Sequence, residues 1–268
     1  MTADVDRLAT DYRQQRRALE LFDVNCWLGR PLESAFTTVT GLDNLKAALL
    51  HYDIRRAVLS HTLGLNCGAD EGNRAVTEAA QADDMFVAAA TLVPELASGR
   101  GWLALLRNLI ARRVRLVRLF PATHNFLLAG EYLGGMLEAL AQLRLPLLVW
   151  QTQTTWPAIA RICEQYPALR VVVEGTGRKL FYDDRIYYPL LARHPNLCLE
   201  THNLVNYLGL DDLVSRFGSE RFLFGSFFPH LDPNSAAMLL THGDMEPQDR
   251  QNIAHGNLDR MLAEVDLG

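Results

Sequence analysis

From residue 21 onward the chain alternates short apolar runs with longer stretches whose apolar residues recur at helical spacing. The short runs fall at residues 21–27, 57–60, 86–92, 116–120, 147–150, 170–174, 197–200 and 222–225. Each is rich in Val, Leu, Phe or Ile and has the length of a strand covered on both faces, as in a parallel sheet. Helical spacing occupies residues 42–51, 73–82, 102–112, 133–143 and 157–166 between them. Eight such units in regular alternation predict an α/β fold, a single (β/α)8 TIM barrel. A doubly wound open sheet is the main competitor, but no G-x-G-x-x-G follows the first strand to favour it. Extra helices are expected at both ends. Residues 5–19 precede the first strand, and a C-terminal stretch opens at Glu246-Pro247 and spaces Ala254, Leu258, Met261 and Leu262 helically. Residues 1–268 therefore read as one domain, with residues 1–20 as an N-terminal helical extension.

Composition narrows the class. The 268 residues are close to the roughly 250 of a one-domain barrel. A formal net charge of −5 argues against a general nucleic-acid binder, which is normally basic overall. Basic clusters at Arg112, Arg113, Arg115 and Arg118, and at Arg178 and Lys179, leave local anion binding open. Residues 1–20 are polar and charged, so no signal peptide is expected, and no apolar run reaches the ~20 residues of a membrane span. Cys26, Cys67, Cys163 and Cys198 lack C-x-x-C spacing, which points to free thiols in a reduced, cytoplasmic protein.

Several segments resemble the amidohydrolase family that includes the aminocarboxymuconate-semialdehyde decarboxylases. Phe22-Asp23-Val24-Asn25-Cys26-Trp27-Leu28-Gly29 is similar to that family's first strand, normally Asp-x-His-x-His. Leu145 to Trp150 is similar to its fifth strand and Leu169 to Gly175 to its sixth, both usually ending in His. The segment from Glu220 to His230 matches best, with Phe227 where the family has Asp, and Asp249 to Leu262 is similar to the final helix with its Gly-Asn turn. The resemblance implies the barrel fold and a hydrolase or decarboxylase ancestry. It also implies that Asn25, Trp27, Trp150, Glu174 and Phe227 stand at the family's metal-ligand positions. Trp and Phe offer no donor and Asn is a weak one, so no metal and no cofactor is expected. Phe227 cannot act as the family's general base either.

Polar residues at the C-terminal ends of the strands remain as candidates, because barrel ligands meet that end. By strand alternation Asp23 should share the inward face of Asn25 and Trp27, with Cys26 outward among the helices. Arg118 ends the fourth strand in an apolar run, so it needs a partner such as Glu174. It is either a rim ion pair or a bidentate anchor for a substrate carboxylate. Glu174 is either a general acid or base with a raised pKa, or ionised and inert beside Arg118. His202 is the favoured catalytic histidine because Glu200, Thr201 and Asn203 surround it. His124 and His230 lie in rim loops, where a surface or capping role is the plainer alternative. Gln151 follows the fifth strand and can bond a ligand.

Trp27, Trp150, Trp156, Phe227, Phe228, Tyr182, Tyr187 and Tyr188 are expected to crowd the mouth, either lining a pocket or plugging the vacated metal cavity. The predicted site thus comprises Glu174 and His202 as catalytic groups. Arg118, Arg178, Asn25, Gln151, His124, His230, Trp27 and Trp150 are the substrate contacts. Two functions fit: a metal-independent hydrolase or lyase acting on a small carboxylated molecule, or a catalytically inactive barrel that binds a ligand or partner. A rebuilt metal site from Glu174, His202, Glu200 or His124 is a third. The expected partner is an anionic small molecule, with no nucleic acid or membrane, and a homodimer is allowed.

Overall fold

The computed structural model describes residues 2–30, 36–39, 41–97, 101–175, 184–204 and 208–268. Among these, eight strands run in parallel in sequential order: β1 (Phe22–Leu28), β2 (Arg56–His61), β3 (Phe86–Thr91), β4 (Val114–Leu119), β5 (Leu147–Trp150), β6 (Val171–Glu174), β7 (Leu197–Glu200) and β8 (Phe222–Leu223). The sheet closes where the Val24 and Trp27 amides donate to the Phe224 and Phe228 carbonyls at 3.0 and 2.8 Å. The architecture is a (β/α)8 barrel with additional terminal helices.

Around it lie α1 (Thr2–Ala18), α2 (Leu42–His51), α3 (Thr62–Asn66), α4 (Ala69–Ala82), α5 (Trp102–Ala111) and α6 (Gly130–Gln142). There follow α7 (Trp156–Gln165), α8 (Asp184–Arg193), α9 (Gly209–Phe217), α10 (Pro233–Thr241), α11 (Pro247–Gln251) and α12 (Asn257–Ala263). Two departures from the sequence pattern have clear causes. Helix α4 begins four residues before the apolar spacing does, because its first turn carries Asp70 and Glu71, which suit a helix N-terminus but not an apolar template. Strand β8 stops early because the Phe224 amide donates to the Ile253 carbonyl at 2.9 Å, in the π turn Asn252–Gly256 that links α11 to α12.

The apolar core has two shells. The inner one takes Phe22 and Val24 from β1, then Val58, Ala89, Leu116, Leu148, Val172, Cys198 and Leu223 from the other strands in turn. Leu258 and Met261 of α12 close it from the N-terminal end. The outer shell lies between strands and helices and includes Cys26, Phe228, Trp156 and Tyr187. Since side chains alternate along a strand, a residue two positions beyond an inner-shell residue also points inward. That rule brings Ser60, Arg118, Trp150, Glu174 and Glu200 to the inner face at the C-terminal end.

Strand β1 breaks the alternation. Its register against β2 shifts between Asp23 and Cys26, so Val24 and Asn25 together oppose one residue of β2. The extra residue lets Val24 fill the inner shell while Asn25 and Trp27, one step out of phase with it, also reach the axis. Asp23 consequently does not join them, contrary to the simple alternation. It turns into the seam between β1 and the segment after β8, where its carboxylate accepts from the Asn25 and Ser226 amides at 2.8 and 3.0 Å and from the Ser226 hydroxyl. Cys26 is buried among the helices, as the pattern implies.

Candidate functional site at the barrel mouth

Asn25 is the hub of the mouth. Its Oδ1 accepts from Trp27 Nε1 at 3.0 Å and from Arg118 Nη2 at 3.1 Å, both obligatory donors, which fixes the orientation of the amide. The Nδ2 then lies 3.2 Å from Nδ1 of His202. The oxygen is engaged twice by the protein, so Asn25 positions Trp27 and Arg118.

Arg118 and Glu174 lie on strands two apart in the barrel and are both fully buried, with Nε and Oε1 3.0 Å apart. The guanidinium also sits 4.7 Å from the centre of the Trp27 ring, an attractive cation–π geometry. Yet the pair is close without being aligned. Among the described residues, Arg118 Nε and Nη1 and both oxygens of Glu174 have no hydrogen-bond partner. Burial pushes the Glu174 carboxyl up to about 7, helped by the charge of Glu200 and opposed by Arg118 and His202. Burial likewise pulls Arg118 below its usual value, while Glu174, Glu200 and Asp23 hold its proton on.

Glu200 and His202 form a second pair. Glu200 Oε1 meets His202 Nδ1 and accepts from the Gly175 amide at 2.7 Å; Oε2 receives the His202 amide at 3.3 Å. A carboxylate at Nδ1 directs the ring proton there and leaves Nε2 as the basic nitrogen. The two glycines explain how these side chains fit. A Cβ at Gly225 would run into the Glu200 carboxylate, and one at Gly175, where φ is +60°, would press on the His202 ring.

Above them lies an aromatic cap. Phe227, with φ of 57°, is sandwiched between the rings of His202 and His230, with centroids 4.8 and 4.6 Å away and planes within 15° and 24°. Trp27 meets Phe227 edge-on at 6.2 Å, and Trp150 meets it tilted at 5.5 Å. Phe227, Trp150 and His230 are half-buried and form the outer surface of the cap, beneath which Arg118, Glu174, Glu200 and His202 are closed to solvent.

The structure thus brings Glu174, His202, Arg118, Asn25, Trp27, Trp150 and His230 into one connected group. Gln151 opens a short turn beyond β5, half-buried. His124 lies further out, its ring against Phe120 at 5.7 Å and its Nε2 3.0 Å from the Leu65 carbonyl. A cleft of about 530 Å³ opens beside the mouth instead, lined by residues such as Pro121, Asn125, Thr155 and Arg161. Arg178 and Tyr182 lie outside the described residues. Trp156, Phe228, Tyr187 and Tyr188 do not crowd the mouth as expected; they pack in or against the outer shell, under the helices. Trp156 belongs to α7 and the two tyrosines to α8, whose apolar sides pack on the barrel. Ser226 and the two glycines were missed by residue-type reasoning, because none carries chemistry of its own.

A family model for amidohydrolases matches residues 47–262. No curated protein matches the chain. Among solved structures the chain is similar to 5-carboxyvanillate decarboxylase from Sphingomonas paucimobilis, with 13% identity, TM-score 0.70, and 91% of this chain and 99% of that one covered. It is similar to 2,6-dihydroxybenzoate decarboxylase from Rhizobium, with 14% identity, TM-score 0.68, and 91% and 98% covered. A third is 5-carboxyvanillate decarboxylase from Novosphingobium aromaticivorans complexed with manganese and 4-hydroxy-3-methoxy-5-nitrobenzoic acid, with 15% identity, TM-score 0.66, and 84% and 81% covered.

The residues here do not fit such an ion. Trp27, Trp150 and Phe227 present carbon rings, the Asn25 oxygen already accepts two hydrogen bonds, and Glu174 faces a guanidinium that would repel a dication. Among the described residues no three His, Cys, Asp or Glu side chains are grouped to hold a metal.

Proposed function

This chain belongs to the amidohydrolase family, and we propose that it is a metal-independent lyase acting on a small aromatic carboxylate by acid–base chemistry at the barrel mouth. The observation that carries the reading is the hydrogen-bonding capacity of the fully buried Arg118 and Glu174 that no described residue meets. Buried polar groups are normally satisfied, and leaving them unpaired costs about 1–3 kcal/mol each. A carboxylate-bearing ligand supplies acceptors for Arg118 Nε and Nη1, and a protonated Glu174 supplies a donor. The aromatic cap of Trp27, Phe227 and Trp150 suits a flat ring. The solved relatives that act on hydroxylated benzoates support the same substrate class.

In a decarboxylation the bond between ring and carboxylate breaks, carbon dioxide leaves, and the ring carbon takes one proton. Glu174, with its pKa near neutrality, is suited to deliver that proton and regain it from water afterwards. His202, held by Glu200 with Nε2 basic, is suited to take the proton of a ring hydroxyl.

The closed cap favours a second reading, in which the barrel binds such a molecule without turning it over. One experiment separates the two. Purified protein treated with a chelator is incubated with a panel of hydroxybenzoates, and carbon dioxide release and thermal stabilisation are both measured. Turnover that survives the chelator and falls by about 100-fold or more in Glu174→Gln supports the lyase. Stabilisation without turnover supports the binding protein, and neither effect with any carboxylate removes both readings.

A further inference from the structure

We propose that the guanidinium of Arg118 is the built-in cation of this barrel mouth, occupying the place and carrying the charge that a metal ion has in metal-dependent barrels. The inference does not depend on whether the barrel catalyses anything. Arg118 is fully buried, and the acidic side chains Glu174, Glu200 and Asp23 are the groups whose charges act on it. Those three carboxylates are themselves 0%, 1% and 0% exposed. Carboxyls buried this completely can ionise only beside a positive centre, because each ion taken from water loses several kcal/mol of solvation. Glu174 is the telling member: among the described residues both of its oxygens lack an aligned donor, although the guanidinium is 3.0 Å away. The guanidinium thus lies against Glu174 as a positive centre, without the two-pronged hydrogen bond that usually seats Arg on a carboxylate.

Asn25 completes the arrangement, since its oxygen accepts from Nη2 in the way a neutral carbonyl ligand faces a cation. With the guanidinium cut away, Glu174 and the Asn25 carbonyl face the space it leaves, and the charge of Glu200 acts on the same place, a setting that favours Mn2+ or a similar hard dication.

The experiment measures Mn2+ binding by electron paramagnetic resonance and calorimetry in wild type, Arg118→Ala and Arg118→Ala/Glu174→Ala, together with thermal melts in methylguanidinium. Wild type is expected to bind no stoichiometric Mn2+ at the mouth. Arg118→Ala should melt lower, bind one Mn2+ per chain on the order of 100-fold more tightly than wild type, and regain stability in methylguanidinium. The double variant should lose the Mn2+ site. Uptake of one Mn2+ per chain by wild type, abolished by Glu174→Ala, would overturn the proposal. So would an Arg118→Ala protein that responds to neither cation. If Arg118→Ala does not fold under any condition, Arg118→Lys decides. An ammonium keeps the charge, so this variant should fold and stay metal-free, and a Lys variant as unstable as the Ala variant contradicts the proposal.

Discussion

Glu174 shows how a single buried side chain couples this fold to pH. Its carboxyl is pushed from the ordinary 4.5 up to about 7, chiefly by burial, so the folded protein holds this proton more tightly than the unfolded chain does. The linked stability is fully present below the unfolded value and is lost as pH rises through the folded one. Wild type is therefore expected to weaken between about pH 4.5 and 7, by on the order of 3 kcal/mol from this group. Glu174→Gln should remove that part of the slope. Asp23, raised from 3.8 to about 6 by burial, adds a slope of the same sign that persists in the variant. Urea midpoints at pH 5 and pH 8 for both proteins measure the difference, and parallel slopes would show that Glu174 does not hold its proton in the fold. At this scale the sequence was half informative. Arg118 and Glu174 could be paired because each ends a strand on its inward phase. What stayed hidden depends on the backbone around them: the left-handed φ of Phe227 that inserts its ring between His202 and His230, and the glycines that let Glu200 reach His202.

The N-terminal helix α1 is an element whose hold on the barrel rests on a few contacts. Most of its residues are exposed, and Arg16 is the main anchor. Its guanidinium donates from Nε and Nη2 to Asp53 at 2.9 and 2.8 Å and from Nη1 to Asn234 of α10 at 2.6 Å, with Tyr12 also donating to Asn234 at 2.8 Å. Asp53 is buried and its other cation, Arg17, is largely exposed and reaches it only at 3.4 Å, so removing Arg16 leaves the carboxylate poorly paired. Arg16→Ala is expected to cost about 2–3 kcal/mol and to speed amide exchange along α1 well before the barrel strands exchange. Unchanged exchange in α1 would mean that its apolar contacts alone dock it. Periodicity revealed the helix, but no local signal announced what Arg16 would meet 37 and 218 positions along the chain. The bulge in β1 was hidden for a related reason. An extra strand residue leaves no mark on composition, yet it sends Asp23 to the seam while Asn25 and Trp27 keep their inward direction.

At the scale of the whole molecule, the count of alternating elements made the barrel legible, because eight buried strands leave few other ways to cover their faces. How the barrel closes was not legible, since β8 has only two residues to offer. The carboxylate of Asp23 makes up the deficit, bridging β1 to the segment after β8 through the Asn25 amide and the amide and hydroxyl of Ser226. Ser226 in turn receives the Phe228 amide at 3.0 Å, next to the Trp27–Phe228 bond that joins the two edges. Two substitutions of nearly equal size should therefore differ sharply. Asp23→Ala leaves two buried backbone amides without acceptors and is expected to cost about 2–5 kcal/mol. Asp23→Asn keeps an oxygen for those amides, can donate to Ser226, and sheds a charge that burial already disfavours. Its melt should stay within about 1 kcal/mol of wild type and lose the pH dependence between 3.8 and about 6. Exchange in Asp23→Ala should accelerate first at the Val24 and Trp27 amides, which bond across the seam, while the β4–β5 ladder stays protected. Equal acceleration in both places would show that the seam is no weaker than the rest of the barrel, and that Asp23 acts on global stability alone.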